Sequence, residues 1–352
     1  MNYVGVDLHK KTSLFYVVDS RCRKLDSRNV TNTDEELKGY FEQIPKPFIL
    51  AVESTYNWYF FVDLAEQYAE RVYLADTYEL KAFAKRHKKT DKIDARLIAT
   101  VLQKGFLPAV TIPDRQTREI RELLRYRMKL VRDRTRNISR LKSLLDRLGY
   151  QSTGDFSTYK HLRAIDTKDL PAIYAYIIRR QSEQIIELNK KVAEIEEQFN
   201  AIADGDEDMR NLLTIKGIGA FSAALVKTEI IDISRFRTFN RLCAYAGLAP
   251  RVSASGGRVY HGPLNKNRRK NLQWILLENV LHFIRALPKS KEKFERIERR
   301  KGYNTARVAL ARDMLKIIYH VLKERRAFYH RPAIDKNKSG RIRIQSVAPT
   351  AL

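Results

Sequence analysis

The spacing of apolar residues changes once along this chain, and that change restricts the possible folds more than any other feature. Up to about residue 104, short β-branched and aromatic runs alternate with helical segments, which is typical of an α/β sheet. From about residue 115, apolar residues recur every three or four positions, as in long amphipathic helices. The sequence therefore predicts an N-terminal α/β domain followed by mainly helical regions.

The N-terminal strands can be predicted individually. The segments YVGVDL and SLFYVVD predict a hairpin, FILAVEST is a nearly continuous apolar run suited to a strand buried on both faces, and RVYLAD predicts a further strand. Helical segments separate the later strands, and DKIDARLIATVLQ predicts a last helix. This order of two or three strands, helix, strand, helix, strand and helix is that of a ribonuclease H-like sheet.

The charge balance predicts the kind of partner. The chain has 352 residues with 67 Lys and Arg against 41 Asp and Glu, so its formal net charge is +26. Such an excess repels itself unless a polyanion neutralises it, which makes nucleic acid the expected partner. An anionic membrane surface is disfavoured, because the sequence has no apolar run of about 18 residues, amphipathic anchor or lipidation motif.

The two cysteines predict the compartment. Cys22 and Cys243 lie in unrelated contexts without CxxC or Cys/His spacing, so neither a disulfide framework nor a structural zinc site is expected. The first residues have a polar strand pattern and lack the apolar core of a secretory signal. A cytoplasmic protein is therefore predicted.

Two long amphipathic helices are predicted in the middle of the chain. One is strongly basic and covers about 115–148, and the other has an apolar stripe over 185–202. The stretch 149–170 joins them. Two interpretations remain open, an antiparallel helical hairpin packed within one chain and a coiled coil that joins chains into a dimer or tetramer.

The C-terminal part predicts a third region. LLTIKGIG at 212–219 favours either a helix-hairpin-helix, with a helix that stops at Gly217, or a plain packed turn. A small helix, a Ser/Gly-rich loop, a basic segment and an apolar helix are expected over 241–280. The predicted boundaries are 1–110 for the α/β domain, 111–204 for the helical coiled-coil region, 205–332 for the C-terminal domain and 333–352 for a basic tail.

Acidic side chains interrupt two of the predicted buried strands. Asp7 ends the apolar run of the first strand, and Glu53 ends the run FILAVE. A buried carboxylate is costly unless it is paired or binds a metal ion. In a ribonuclease H-like sheet these strands are neighbours, so we expect the two carboxylates to lie close together.

A second acidic pair begins the last helix of the domain. Asp91 and Asp94 are three residues apart and therefore share one face of that helix. Either one alone could be an ordinary helix-start or surface residue. Four carboxylates at one point would repel each other, and two Mg²⁺ ions with oxygen ligands would relieve that repulsion. Two such ions can activate a nucleophile and stabilise the leaving oxygen of a phosphodiester.

Five short motifs resemble a known family. GVDLHK at 5–10, AVEST at 51–55 and KTDKIDAR at 89–96 are similar to the N-terminal motifs of the DEDD insertion-sequence transposases of family one-hundred-and-ten, whose relatives include the Piv-type DNA invertases. LLTIKGIG at 212–219 and YAGLAPRVSASGGRVYHGPLNKNRRKNL at 245–272 resemble the C-terminal domain of that family. The resemblance spans nearly the whole chain in the right order.

The resemblance implies a mechanism. It implies a RuvC-like N-terminal domain whose metal ligands are Asp7, Glu53, Asp91 and Asp94. It also implies a serine nucleophile that joins covalently to DNA, which the Ser-Gly-Gly segment places at Ser255, with Ser253 as the alternative. Members of the family are understood to use a structured guide RNA and to act as oligomers. The chain departs from the family after the serine loop, where it has LNKNR at 264–268 in place of Ile-Thr-Lys-x-Gly.

Basic residues near these motifs are expected to contact nucleic-acid backbone. In the N-terminal domain they are Lys10, Lys88 and Lys89, and in the C-terminal domain they are Arg258, His261, Lys266, Arg268, Arg269 and Lys270.

These features predict a transposase that cleaves and rejoins donor and target DNA with Mg²⁺ and Ser255 under RNA guidance. The alternatives are a site-specific invertase, a RuvC-like hydrolase in which water attacks without a covalent intermediate, and a non-catalytic nucleic-acid-binding protein. A buried acid such as Asp7 argues against the last, because a pure binder gains nothing from it.

Overall fold

The computed structural model describes residues 1–80, 82–83, 91–150, 154–255, 258–264 and 268–329, without the side chains of 91–93, 252–259 and 261. The chain divides into two compact units, 1–114 and 115–352. None of the described helices is long and apolar enough to cross a membrane.

The first unit is a mixed sheet with helices on both faces. Its elements are β1 (Asn2–Leu8), β2 (Thr12–Val18), β3 (Lys24–Thr31), α1 (Asp34–Gln43), β4 (Phe48–Glu53), α2 (Trp58–Ala65), β5 (Arg71–Ala75), α3 (Thr77–Leu80), α4 (Asp91–Gln103) and β6 (Ala109–Val110). The strand order is β3-β2-β1-β4-β5-β6. The first three strands pair antiparallel, β1, β4 and β5 pair parallel, and β6 returns antiparallel. The predicted element order is confirmed.

Strand alternation separates two cores. Val4, Val6 and Leu8 of β1 pack with α1 and α2 in an aromatic-rich core. The opposite face of the sheet receives α4, whose Ala95 and Ile98 are buried against it. The two faces of β1 and β4 are thus both covered, as their continuous apolar runs predict.

A glycine allows α4 to approach β1 closely. A Cβ atom on Gly5 would lie 2.2 Å from the carbonyl oxygen of Ala95 and 2.4 Å from the amide nitrogen of Ala99. The far end of α4 is tied to the loop after β2, where Gln103 donates to the Ser20 carbonyl at 2.9 Å. Because that loop lies beside the start of β1, α4 runs antiparallel to β1 and its first turn points to the strand's carboxyl end.

The described part of the second unit consists of helices and one β-hairpin. Its elements are α5 (Arg115–Arg147), α6 (Tyr159–Arg163), α7 (Ala172–Asp204), α8 (Glu207–Leu213), α9 (Ala220–Ile230), a 3₁₀ turn (Ile233–Arg235), α10 (Phe239–Tyr245), β7 (Pro250–Ser255), β8 (Arg258–Leu264), α11 (Lys270–Ala286), α12 (Pro288–Lys301) and α13 (Tyr303–Glu324). This part of the chain is helix-rich, as predicted.

The two long helices pack against each other within one chain. Leu141 and Leu145 near the end of α5 share a core with Ile178 near the start of α7. Leu124 near the start of α5 shares another with Phe199 near the end of α7. This pairing is antiparallel, so the helical hairpin is confirmed, and a coiled coil between chains stays a prediction.

The structure corrects two details of the C-terminal part. The helix expected to stop at Gly217 ends at Leu213, and a turn follows. Gly217 has φ +91°, and a Cβ there would lie 2.9 Å from the backbone nitrogen of Phe283, so this glycine packs against α11, whereas Gly219 of the same turn is exposed. The stretch expected to be a Ser/Gly-rich loop forms the β7–β8 hairpin. The predicted basic tail, 333–352, lies outside the described residues.

Candidate active site

Asp7 is a buried carboxylate at the end of a central strand. Only 4% of the residue is exposed. Its carboxylate oxygen Oδ2 lies 3.4 Å from Nε2 of His9, whose side chain is about half exposed. A carboxylate that is withdrawn from water in this way requires compensating partners. Asp7 therefore has the environment of a functional acid rather than of a surface residue.

The sheet places Glu53 beside Asp7. The parallel register pairs Val6 with Val52, and Asp7 and Glu53 are the next residues of the two strands. Neighbouring strands are about 4.8 Å apart. Because Val6 and Val52 both belong to the core under α1 and α2, alternation puts Asp7 and Glu53 on the other face, which α4 covers.

The helix α4 covers the same face of the sheet. Asp94 precedes Ala95, the residue that packs against Gly5 two positions before Asp7, and Asp94 is partly exposed. Asp91 is the first residue of α4, and its side chain lies outside the described set. The fold thus brings Asp7 and Glu53 together and turns the first part of α4 towards them.

Two asparagines fix the turn that follows Asp7, and the sequence analysis did not identify them. The side-chain amides of Asn32 and Asn57 both donate to the backbone carbonyl of His9, at 2.8 Å and 2.9 Å. Ser13 donates to the Asn32 side chain and Thr55 donates to that of Asn57. The ends of β1, β3 and β4 are therefore joined at one carbonyl.

The donor set suits a hard divalent cation. Carboxylate oxygens are the ligands that Mg²⁺ and similar ions prefer, and Asp7 and Glu53 supply them at adjacent strand ends. Among the side chains that the structure describes, no group of three or more His, Cys, Asp and Glu is arranged to hold a metal ion. Asp7, Glu53 and Asp94 are among those side chains, whereas the side chain of Asp91 lies outside the described set.

The predicted nucleophile lies on the β-hairpin of the second unit. Ser255 is the last residue of β7 and pairs with Arg258, the first residue of β8, while Ser253 pairs with Tyr260. Only the backbone is described at both serines and at Arg258 and His261.

The predicted nucleic-acid contacts differ in exposure. Lys10 and Lys270 are exposed, whereas Arg268 and Arg269 are partly buried. Lys88, Lys89 and Lys266 lie outside the described residues.

The two arginines also have structural contacts. Arg269 donates from Nε to the Tyr245 hydroxyl at 2.8 Å. The alkyl chain of Arg268 lies against Gly247, where a Cβ would come within 2.3 Å of its Cδ. With Lys270 and Arg121, both arginines line a cleft of about 360 Å³ between α5, α9 and the start of α11.

The same chain matches two family models. A DEDD transposase domain described as "Transposase" matches 4–149, and one described as "Transposase IS116/IS110/IS902 family" matches 209–295. Together they cover more than half of the chain, in the order that the motifs predicted. The chain is an insertion-sequence transposase of the IS110 family, and it is therefore an enzyme of DNA cleavage and strand transfer.

Curated relatives agree over most of the length. A probable family 20 transposase of Pseudomonas aeruginosa is 24% identical over 92% of this chain and 97% of its own. The transposase for insertion sequence element IS1328 of Yersinia enterocolitica is 26% identical over 78% of this chain and 81% of its own. That for IS1111A of Coxiella burnetii is 24% identical over 69% of each. DNA is accordingly a partner of this chain, and its DEDD domain indicates a divalent cation.

Proposed function

We propose that this transposase cleaves and rejoins DNA with divalent cations held by Asp7, Glu53, Asp91 and Asp94 and with Ser255 as the nucleophile. The observation that supports the proposal is the parallel register that makes Asp7 and Glu53 the next residues of neighbouring strands, on the face of the sheet that α4 covers. The strand order supports a RuvC-like, ribonuclease H-like domain, in which the strands of Asp7 and Glu53 are neighbours.

The proposed cofactor is two Mg²⁺ ions. When bound, they would stabilise the charge that develops on the phosphate and on the attacking and leaving oxygens. Residues of the chain itself position the elements that carry these carboxylates. Asn32 and Asn57 hold the turn that carries His9, and Gly5 lets the acidic end of α4 come close to the sheet.

The proposed chemistry is two transesterifications. The Ser255 hydroxyl attacks phosphorus, a phosphoserine bond forms, the bond to the leaving DNA oxygen breaks, and that oxygen takes up the proton that serine lost. A hydroxyl of the exchanged DNA end then attacks the phosphoserine and restores the serine. The number of phosphodiester bonds is unchanged, so no external energy source is required.

Guidance by a structured RNA and assembly into a dimer or tetramer complete the proposal. The net charge of +26 supports extensive contact with polyanions. Sequencing of the RNA that copurifies with the chain tests guidance, since a discrete species encoded beside the gene is expected.

The carboxylates are tested by isosteric substitution in the full-length protein. We expect Asp7→Asn and Glu53→Gln each to lower strand cleavage at least 100-fold, because they remove charge without changing shape. DNA affinity should stay within about threefold, since the basic surface is untouched. Glu42→Gln, an exposed residue of α1, is the matched control and should cleave normally. Normal cleavage by the Asp7 variant would contradict the proposal.

The nucleophile is tested by denaturing gel electrophoresis of reactions with labelled DNA. The wild-type protein should give a protein–DNA adduct that survives denaturation, and Ser255→Ala should give none. Ser253→Ala, two residues away on the same strand, is the control and should keep the adduct. Active wild-type protein without any adduct would favour the hydrolase in which water attacks, and loss only with Ser253→Ala would move the nucleophile to that residue.

A further inference from the structure

A groove on the α5–α7 hairpin has no role in the cleavage chemistry proposed above. It lies between the C-terminal half of α5 and the N-terminal half of α7, which form the distal end of the hairpin, and has a volume of about 590 Å³. Its lining includes Arg136, Arg140, Arg147, Tyr174 and Gln181. We propose that this hairpin groove binds a single-stranded segment of RNA. The inference rests on the proposed function, because it gives a place on the chain to the RNA invoked there.

The groove concentrates positive charge. Its lining contains three arginines and no acidic residue. Arg140 is exposed and makes no ion pair with any other described residue, and the Arg147 guanidinium donates to the Ser143 carbonyl at 3.3 Å. Arg136 is paired with Asp133, so Arg140 and Arg147 supply the groove's positive charge, which attracts the phosphates of a polyanion.

The neighbouring part of the hairpin lacks this excess. The adjoining groove of about 670 Å³ is lined by acidic as well as basic side chains. Within it Arg136 lies 3.3 Å from Asp133, and Arg180 lies 2.8 Å from Glu183. These ion pairs neutralise that part of the surface. The distal groove therefore differs from this adjoining groove in having no acidic residue in its lining, while Arg136 and Arg140 line both.

Exposed aromatic rings lie at the same end of the hairpin. Tyr174 lines the groove and is 38% exposed, and Tyr176 beside it is 60% exposed. Ile173, in the same first turn of α7, is 73% exposed. Aromatic rings beside a basic groove form stacking platforms for unpaired bases. Base faces are hidden within a duplex, so this combination favours a single strand.

Polar side chains in the groove favour RNA over DNA. Ser139, Ser143 and Gln181 are part of the lining, between the arginines and the tyrosine. Hydroxyl and amide groups can both donate to and accept from a ribose 2′-hydroxyl, which DNA lacks. The groove thus offers phosphate, base and sugar contacts together.

The test measures binding of a fluorescein-labelled, unstructured 20-nucleotide RNA of mixed sequence, and of DNA with the same sequence, to full-length protein. We expect Arg140→Gln with Arg147→Gln to raise the RNA Kd at least tenfold. The slope of log K against log salt should fall by about 1.4, because two phosphate contacts to a single strand are lost. Tyr174→Ala should raise the Kd at least fivefold through lost stacking.

Matched variants control for charge and for ring removal. Arg179→Gln removes an exposed arginine from another face of α7, and Tyr126→Ala removes an exposed tyrosine from α5. Both should bind RNA as the wild type does. All variants should keep the wild-type circular dichroism spectrum and mass in solution.

The outcomes separate the groove from the proposed function. Wild-type protein that binds no RNA overturns both the groove and RNA guidance. Groove variants that bind like the wild type overturn the groove alone. If the groove variants weaken DNA binding as much as RNA binding, the assignment to RNA is overturned. If the groove variants have a lower oligomeric mass than the wild type, the groove is an interface between copies of the chain and the RNA proposal is overturned.

Discussion

At the scale of single residues, Gly5 shows how one side chain decides the geometry of the candidate site. The two atoms nearest to a Cβ at this position are backbone atoms of α4, at 2.2 Å and 2.4 Å. A flexible side chain can relieve a clash by changing its rotamer, but backbone atoms cannot. Any larger residue at this position must therefore displace the whole helix. Because α4 carries Asp91 and Asp94, that displacement would also move two of the predicted ligands.

Replacement of Gly5 by alanine tests this packing. We expect Gly5→Ala to lower the free energy of unfolding of the first unit by about 3 kcal/mol. Gly39→Ala is the matched control, because a Cβ there meets nothing within 4 Å and the residue lies inside α1. It should stabilise by about 0.5 to 1 kcal/mol. Urea unfolding followed by circular dichroism measures both, and a Gly5→Ala protein as stable as the wild type would contradict the close approach of α4.

At the same scale, some site residues could be predicted and others could not. Asp7 and Glu53 stand out because a charge at the end of an apolar run is anomalous in the sequence itself. Asn32 and Asn57 do not, since polar residues near strand and helix ends are common and their shared acceptor is distant in sequence. Only the folded chain shows that both bind the His9 carbonyl.

At the scale of elements, periodicity predicted the long helices well and the C-terminal hairpin poorly. The apolar stripes of α5 and α7 extend over many turns, so their spacing is unmistakable. The β7–β8 hairpin has short arms rich in serine and basic residues, joined by the two positions Gly256 and Gly257. A two-residue Gly-Gly connection is a hairpin signal, but the small and polar arms resemble a loop.

The surroundings of the turn between α8 and α9 also could not be predicted from local sequence. The two glycines of this turn left a helix-hairpin-helix and a plain packed turn open, and in the structure Gly217 packs against α11 while Gly219 is exposed. The same local sequence can form an exposed turn or a packed turn. Which of the two forms depends on α11, a helix about 65 residues further along the chain. Local pattern alone therefore predicts the turn but not its surroundings.

At the scale of the whole molecule, two units carry the two halves of the proposed chemistry. The first unit holds the carboxylates, and the second holds Ser255 on its hairpin and the basic hairpin groove. Both family models match in this order, so the family was predictable from motifs before any fold was known. The excess of basic residues predicted the kind of partner but not where on the surface it binds.

The most direct measurement of the central claim is a Mn²⁺ titration of the full-length protein followed by electron paramagnetic resonance. The wild-type protein and Glu42→Gln should bind Mn²⁺ with the same affinity, because Glu42 is an exposed residue outside the site. Asp7→Asn and Glu53→Gln should each weaken binding at least tenfold, since each removes a charged ligand. Unchanged Mn²⁺ affinity in both variants would contradict the claim that the neighbouring strand ends form the metal site.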